Sequence, residues 1–432
     1  MNSALALPRR WPVGGGLLAL ACVARFVIVI VRGWRPIRAD AAAYDQIAQA
    51  LIHGYGFAIT PGHPTANYPP LYPAWVALWY AMVGHRPVVV YVAQLALGCV
   101  TPVLMYLLAR RWMSERAARV AGVVGALYVG FIGAESLLLA ESLAVMLWLL
   151  THLWLSGSMA TGRWRLAIVA GIAMGGAILA KPLLLLYPFL LGGWLCTFGT
   201  RRRAIVLGWL LGVCISLAPW TLRNYRVFGA WVPVGSYSGM VLYASYFPTS
   251  FRTYGSNPTA DQDPVVRAAQ QQPSEVAEDR WLRESTWHRM RVEWPHVLKM
   301  LAVKAVWFWS PFDWEIISWD GHVAYNWGYT FLLPFALGGW WWARRQKLEV
   351  GWLLAPFLYL MGICLVFLAL PRYRLLAEPY LYIFSAMGLA AWLTKRRPAL
   401  RWLAAAGWLT VQLVVAARLP ALLTWLHSLR GG

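Results

Sequence analysis

The residues best suited to chemistry in this chain come directly after its first apolar segment. Asp40 and Asp45 lie within residues 38–45, and a segment rich in tyrosine and proline follows at 68–73. Ionisable groups are costly inside a bilayer, so an acidic pair where an apolar segment ends is a functional hypothesis by default. A carboxylate at such a position can serve as a general base that takes a proton from an attacking hydroxyl.

Positively charged residues follow other apolar segments, and they are candidates for binding a phosphate. Arg372 and Arg374 flank Tyr373 at the end of one such segment. The planar guanidinium matches phosphate oxygens, so we predict that both arginines hold a lipid phosphate at the membrane surface. Lys181 and Arg223 follow two further segments and would add positive charge to the same site. The alternative interpretation is that these cations only contact lipid headgroups.

Two glutamates and the cysteines and histidines complete the set of reactive residues. Glu135 and Glu141 flank a turn between apolar segments. Either carboxylate would raise the pKa of the first one or orient an acceptor, although Glu135 also fits a solvated turn. No two histidines lie three or four residues apart, and the five cysteines all lie in apolar segments. We therefore predict neither a histidine-based metal site nor a disulfide framework.

The elements that must position these residues are membrane helices. Hydrophobic residues make up 60% of the chain and charged residues 13%, which is the balance of an integral membrane protein. Eleven apolar runs have about the length that a helix needs to cross the hydrocarbon. They are residues 13–31, 88–109, 117–134, 141–156, 166–181, 183–199, 204–221, 325–343, 349–370, 376–394 and 400–418. A shorter run at 299–311 is flanked by charge, and we do not expect it to cross.

The charge distribution sets the topology of this single transmembrane domain, residues 1–432. The net charge is +21, but the basic residues cluster in short loops that fall on one side if the segments alternate. That side is the cytoplasm by the positive-inside rule, so the excess charge does not indicate nucleic-acid binding. Two long external loops, 32–87 and 222–324, then carry most of the acidic residues. In the first loop, the apolar residues of 44–51 have helical spacing and predict an interfacial helix.

Several short motifs, in this order and with this topology, resemble those of the bacterial GT-C glycosyltransferases. The similarity is to the group that contains protein O-mannosyltransferases and lipid A aminoarabinose transferases. The motifs are Asp-x-x-x-Tyr from Asp40 to Tyr44, Pro-Pro-Leu-Tyr-Pro with Tyr72, Leu-Ala-Arg-Arg at 108–111, Glu-Ser at Glu141, Pro-Trp-x-x-Arg-Asn with Arg223, and Arg-Tyr-Arg-Leu-x-x-Glu-Pro at 372–379.

The resemblance implies an all-α, GT-C-like bundle of about eleven helices, with interfacial helices in the two external loops. It also implies a glycosyltransferase that moves a sugar from a polyprenyl-phosphate donor to a lipid, polysaccharide or protein acceptor. Asp40 occupies the place of the catalytic base and Glu141, or Glu135, that of an assisting acid. The motif tyrosines Tyr44, Tyr72 and Tyr373 are candidate substrate contacts.

The expected location is the bacterial inner membrane, with membrane lipids around the chain and the site facing the periplasm. No cofactor is required, and a divalent metal is unsupported because Ala41, not a second acid, follows Asp40. Direct displacement would invert the anomeric configuration. The alternative function is a transporter or flippase for a lipid-linked saccharide, which would bind phosphate with the same arginines.

Overall fold

The computed structural model describes residues 11–197, 200–247, 263–313, 316, 324–393 and 398–418. These ranges are mostly helical, as expected where the backbone has no water to bond with. The first helices are α1 Trp11–Arg32, α2 Asp40–Ile52, α3 Leu71–Val83, α4 Pro87–Ala109, α5 Glu115–Leu127, α6 Val129–Glu135, α7 Glu141–Thr161, α8 Trp164–Ala180, α9 Tyr187–Cys196 and α10 Thr200–Phe228. The remaining ones are α11 Ser238–Tyr246, α12 Pro264–Gln270, α13 Glu275–Val292, α14 Trp294–Phe308, α15 Trp327–Arg345, α16 Gly351–Val366, α17 Pro371–Arg374, α18 Glu378–Leu393 and α19 Pro398–Ala417.

The strands of the described residues form two short antiparallel pairs. β1 Ala58–Thr60 pairs with β2 His63–Pro64, and β3 Phe312–Asp313 pairs with β4 Ala324–Tyr325. The first pair lies in one segment predicted as an external loop, and the second lies at the end of the other and includes the first residue of the apolar run 325–343. The predicted all-α architecture is therefore confirmed.

Four helices of the described chain are long and apolar enough to cross a membrane. They are Val13–Arg32, Pro87–Ala109, Glu141–Thr161 and Arg202–Phe228. The predicted segment 117–134 is instead divided between α5 and α6, which are bent by 44° and together would make a fifth. Shorter apolar helices occupy most of the other predicted segments. The total of eleven crossings stays a prediction.

Glycines allow two pairs of these helices to approach each other closely. A Cβ on Gly339 of α15 would overlap the backbone of α18 at Phe384, and one on Gly388 would overlap the backbone of α15 at Phe335. Gly171 of α8 and Gly212 of α10 have the same relationship. Small residues at a helix crossing let the backbones meet, which is a common way of packing helices in membranes. The α15–α18 contact fixes the helix that follows Arg372 and Arg374.

The two segments predicted to be external, here called the first and second external segments, contain helices that pack against protein. In α2, the predicted interfacial helix, Tyr44, Ile47 and Ala48 are all buried. Ile47 packs with Phe57 and Trp220, so this face of α2 is covered by the chain itself. Helices α11 to α14 share a second apolar cluster, which includes Leu242, Tyr246, Val266, Leu282 and Met300. The second external segment therefore forms a small helical cap with its own core.

Candidate active site

The candidate active site is built around an ion pair between two residues from opposite ends of the chain. Asp40 is the first residue of α2, and Arg372 lies in the short helix α17. The Arg372 Nη2 atom is 3.0 Å from Asp40 Oδ2, and the two side chains are 16% and 31% exposed. Sequence reasoning predicted a base and a phosphate-binding cation at one membrane face, and the structure brings these two into contact.

A strained backbone position precedes Asp40. Ala39 has φ of 50° and ψ of −125°, a conformation that favours glycine. The Ala41 amide donates to the Arg38 carbonyl over 3.1 Å, which closes a tight turn around Ala39. The turn lets α2 start at Asp40 itself, so the carboxylate lies at the positive end of the helix dipole.

A second and more deeply buried ion pair, between Lys181 and Glu141, lies near Tyr44. Lys181 Nζ is 2.5 Å from Glu141 Oε1, and the side chains are 6% and 0% exposed. Burial raises the pKa of Tyr44, and the nearby carboxylates of Asp40 and Glu141 raise it further, so this phenol stays neutral. The geometry does not support direct contact of Glu141 with an acceptor or of Lys181 with the donor, because the two neutralise each other in the interior.

The Tyr373 ring lies close to one cation of each of these two ion pairs. The Arg372 Cζ atom is 5.3 Å from the centre of the Tyr373 ring, and Lys181 Nζ is 5.8 Å from it. Both distances lie within the range in which a cation is attracted to an aromatic ring. Tyr373, a predicted substrate contact, thus helps to fix the two cations of the site.

The remaining aromatic residues form a wall beside Asp40. The Tyr44 ring makes edge contacts with Tyr68 and Tyr72, at centroid distances of 5.4 and 5.0 Å. Tyr72 is fully buried and its hydroxyl donates to Gln94 Oε1, so its predicted contact with substrate does not fit. Two tyrosines that the sequence did not single out are more accessible. The Tyr68 side chain is half-buried, and the Tyr237 side chain is 48% exposed. Burial, and then the Asp40 carboxylate, raise the pKa of Tyr68.

Arg374 does not fit its predicted contact with the donor phosphate. Its side chain is 1% exposed, and its Nε lies 2.9 Å from Glu378 Oε1. The Nη1 atom donates to the carbonyls of Phe308 and Ser310 over 2.8 and 2.7 Å. The Arg374 guanidinium therefore binds groups inside the protein, and these bonds attach α17 to the end of α14.

Arg223 and Glu135 also have other partners. Arg223 donates to the carbonyls of Thr65 and Phe57 over 2.8 and 3.1 Å, and so holds the first external segment. Glu135 is buried and forms a two-pronged ion pair with Arg25, with both N–O distances at 2.7 Å. Neither prediction, phosphate contact for Arg223 or assisting acid for Glu135, is supported by these contacts.

Glu275 is a residue of the site region that sequence reasoning missed. Its Oε2 accepts from Thr65 Oγ1 over 2.8 Å, and its Oε1 accepts from the Ala66 amide and, over 3.1 Å, from Ser236 Oγ. The carboxylate thus joins the helical cap to the first external segment, close to Tyr68. No local signal predicts this contact, because its partners lie far away in the sequence.

Glu275→Gln is expected to loosen the wall beside Asp40. One carboxylate oxygen becomes an amide donor, which weakens the hydrogen bonds that the half-buried Glu275 side chain accepts, at a cost of about 1 kcal/mol. We expect a lower midpoint of thermal unfolding. Glu284→Gln, on the exposed side of the same helix, is the matched control. Equal behaviour of the two variants would contradict the assigned role of Glu275.

Metal ligands do not cluster in the described part of the chain. No group of three or more His, Cys, Asp and Glu side chains in it has a geometry that would hold a metal ion. The prediction that no cofactor is required stays a prediction.

Comparisons with known proteins support the resemblance inferred from the motifs. Residues 67–221 match the family model of dolichyl-phosphate-mannose-protein mannosyltransferases. No curated protein matches the chain in sequence. The fold is similar to that of the oligosaccharyltransferase of Archaeoglobus fulgidus, both in a crystal structure with a tethered acceptor peptide and in the apo form.

The first of these structures has a TM-score of 0.52 and 13% identity, and the second a TM-score of 0.51 and 14% identity. Each alignment covers 94% of this chain and 54% of the other, so the chain spans about half the length of the structures that it matches. The predicted likeness to GT-C membrane glycosyltransferases is confirmed.

Proposed function

We propose that this protein is a membrane glycosyltransferase that moves a sugar from a polyprenyl-phosphate donor to a hydroxyl of an acceptor. The observation that carries the proposal is the contact between Asp40 and Arg372. It combines a carboxylate able to take a proton with a guanidinium able to bind a phosphate, in the accessible part of the site. The matched family is named for a lipid-phosphate-linked sugar donor, which agrees with this pairing.

The reaction is a single displacement at the anomeric carbon. The acceptor oxygen forms a bond to that carbon as its proton passes to Asp40. The bond from the carbon to the phosphate oxygen breaks, and the lipid phosphate leaves with the electron pair. Arg372 stabilises the charge that develops on this leaving group. A single displacement inverts the anomeric configuration. In this proposal Arg372 provides the positive charge that stabilises the leaving group, and no cofactor is required.

The surrounding residues hold these two groups in place. Tyr44 lies about one helical turn after Asp40 in α2, and Tyr68 and Tyr237 offer ring faces and hydroxyls to a sugar. The buried Arg374–Glu378 pair keeps α17, and therefore Arg372, at the end of α14. Much of the expected rate gain comes from positioning of this kind, because phosphate is a good leaving group.

The positive-inside rule puts the site on the periplasmic side of a bacterial inner membrane. The acceptor is then a lipid, polysaccharide or protein on that side. The test uses the purified chain in detergent with a radiolabelled polyprenyl-phosphate sugar and an extract of envelope acceptors. We expect release of lipid phosphate together with transfer of label and inversion at the anomeric carbon. Movement of intact donor across vesicles, without cleavage, would instead favour a transporter.

A further inference from the structure

The Asp40–Arg372 contact differs from the other ion pairs around the site in its accessibility. The Glu141–Lys181, Arg374–Glu378 and Arg25–Glu135 pairs have side chains that are at most 6% exposed. Asp40 and Arg372 are 31% and 16% exposed. A substrate phosphate can reach this pair, whereas it cannot reach the buried ones.

The contact also interferes with both proposed roles, proton acceptance by Asp40 and phosphate binding by Arg372. Asp40 Oδ2 lies 3.0 Å from Arg372 Nη2, so this carboxylate oxygen is occupied and is not open to the proton of an acceptor. The guanidinium in turn has part of its fork of donors occupied. Neither group is ready for its role while it binds the other.

We infer that the donor phosphate opens this ion pair, so that Asp40 becomes an available base only after the donor has bound. The inference rests on the proposed function and adds an order of events to it. The donor phosphate displaces the carboxylate from Arg372, and the freed carboxylate then accepts the proton of the acceptor hydroxyl. The donor therefore binds before the acceptor is activated.

The same competition governs release of the product. After transfer, Asp40 carries the acceptor's proton and is neutral, so it no longer competes for Arg372. The lipid phosphate has become a monoester, whose charge at neutral pH is about −1.5 to −2. Asp40 must lose its proton to solvent before it re-forms the ion pair and displaces this product. One carboxylate thus takes part in both proton transfer and phosphate exchange.

The test measures binding of a sugar-free polyprenyl phosphate to the full chain, so that no chemistry is involved. Asp40→Asn removes the competing charge and keeps the shape of the side chain. We expect about fivefold tighter binding than in the wild type, the size of effect found for a partly exposed ion pair. Glu278→Gln controls for general electrostatics, since this half-buried acid lies near Tyr237 on the same side. That variant should change the dissociation constant much less.

A double-mutant cycle shows whether the effect of Asp40 acts through Arg372. Arg372→Gln should weaken binding, and adding Asp40→Asn to it should change the dissociation constant no further. Unchanged or weaker binding by Asp40→Asn, or an effect that persists without Arg372, would overturn the inference but leave the proposed function standing. If the wild type and all variants fail to bind the lipid phosphate, the proposed donor class fails as well.

Discussion

Asp40→Asn is expected to lower the rate of sugar transfer by about 10²–10⁴-fold, the usual contribution of a general base. The amide has the shape of the carboxylate but cannot accept the acceptor's proton. The measurement is the turnover number at saturating donor, with the amount of folded protein fixed by size-exclusion chromatography. The Michaelis constant for the donor should stay the same or fall, because the ion pair with Arg372 is lost.

The matched control for this prediction is Asp45→Asn, five residues further along α2. The Asp45 carboxylate is bound by Tyr80, His85 and Gln49, away from Arg372. This variant removes the same charge from the same helix, so we expect its turnover to fall less than tenfold per folded molecule. Full turnover by Asp40→Asn with an intact lipid donor would rule out Asp40 as the base.

Arg374→Met is expected to destabilise the protein by about 3–5 kcal/mol, because it leaves the Glu378 carboxylate buried without its partner. The side chains of this pair are both 1% exposed, and Arg374 also holds the Phe308 and Ser310 carbonyls. The measurement is the free energy of unfolding in detergent, from a denaturant titration. Transfer activity should fall too, since α17 carries Arg372.

Arg372→Met tests whether the predicted loss of stability in Arg374→Met comes from the burial of Arg374 or from the loss of any arginine in α17. It makes the same substitution in the same short helix, but at a side chain that is 16% exposed. We expect a stability loss of about 1 kcal/mol or less, since ion pairs open to solvent contribute little. A stability loss as large as that of Arg374→Met would show that the two arginines are structurally equivalent.

These two arginines also show how far sequence reasoning reaches. The motif Arg-Tyr-Arg at the end of an apolar segment correctly predicts that the chain places charge near Asp40. It does not show which arginine is accessible, because that depends on how α17 meets α14 and α18. Glu141 is a similar case: its motif leads to the right region, but its burial against Lys181 follows from tertiary packing.

The fold was more predictable than the site. Apolar segments and loop charges predict an all-α membrane bundle. A backbone in the hydrocarbon must form its own hydrogen bonds, as a helix does, and the basic residues of the loops indicate which side of the membrane each loop faces. The bend between α5 and α6 was not predicted, since residues 117–134 read as one uninterrupted apolar run. The hydrogen bonds from Glu275 to the first external segment were not predictable either, because contacts between residues far apart in the sequence produce no pattern in the sequence around them.

The separation of Asp40 and Arg372 along the chain also has a consequence for biogenesis. The helix that begins at Asp40 follows the first apolar segment, whereas Arg372 follows α16. A ribosome-bound chain therefore exposes its carboxylate at the membrane long before the matching guanidinium has been synthesised. Under the proposed function, a lipid-linked sugar meets no complete site during insertion, because the site is assembled only when α17, which carries Arg372, has joined the bundle.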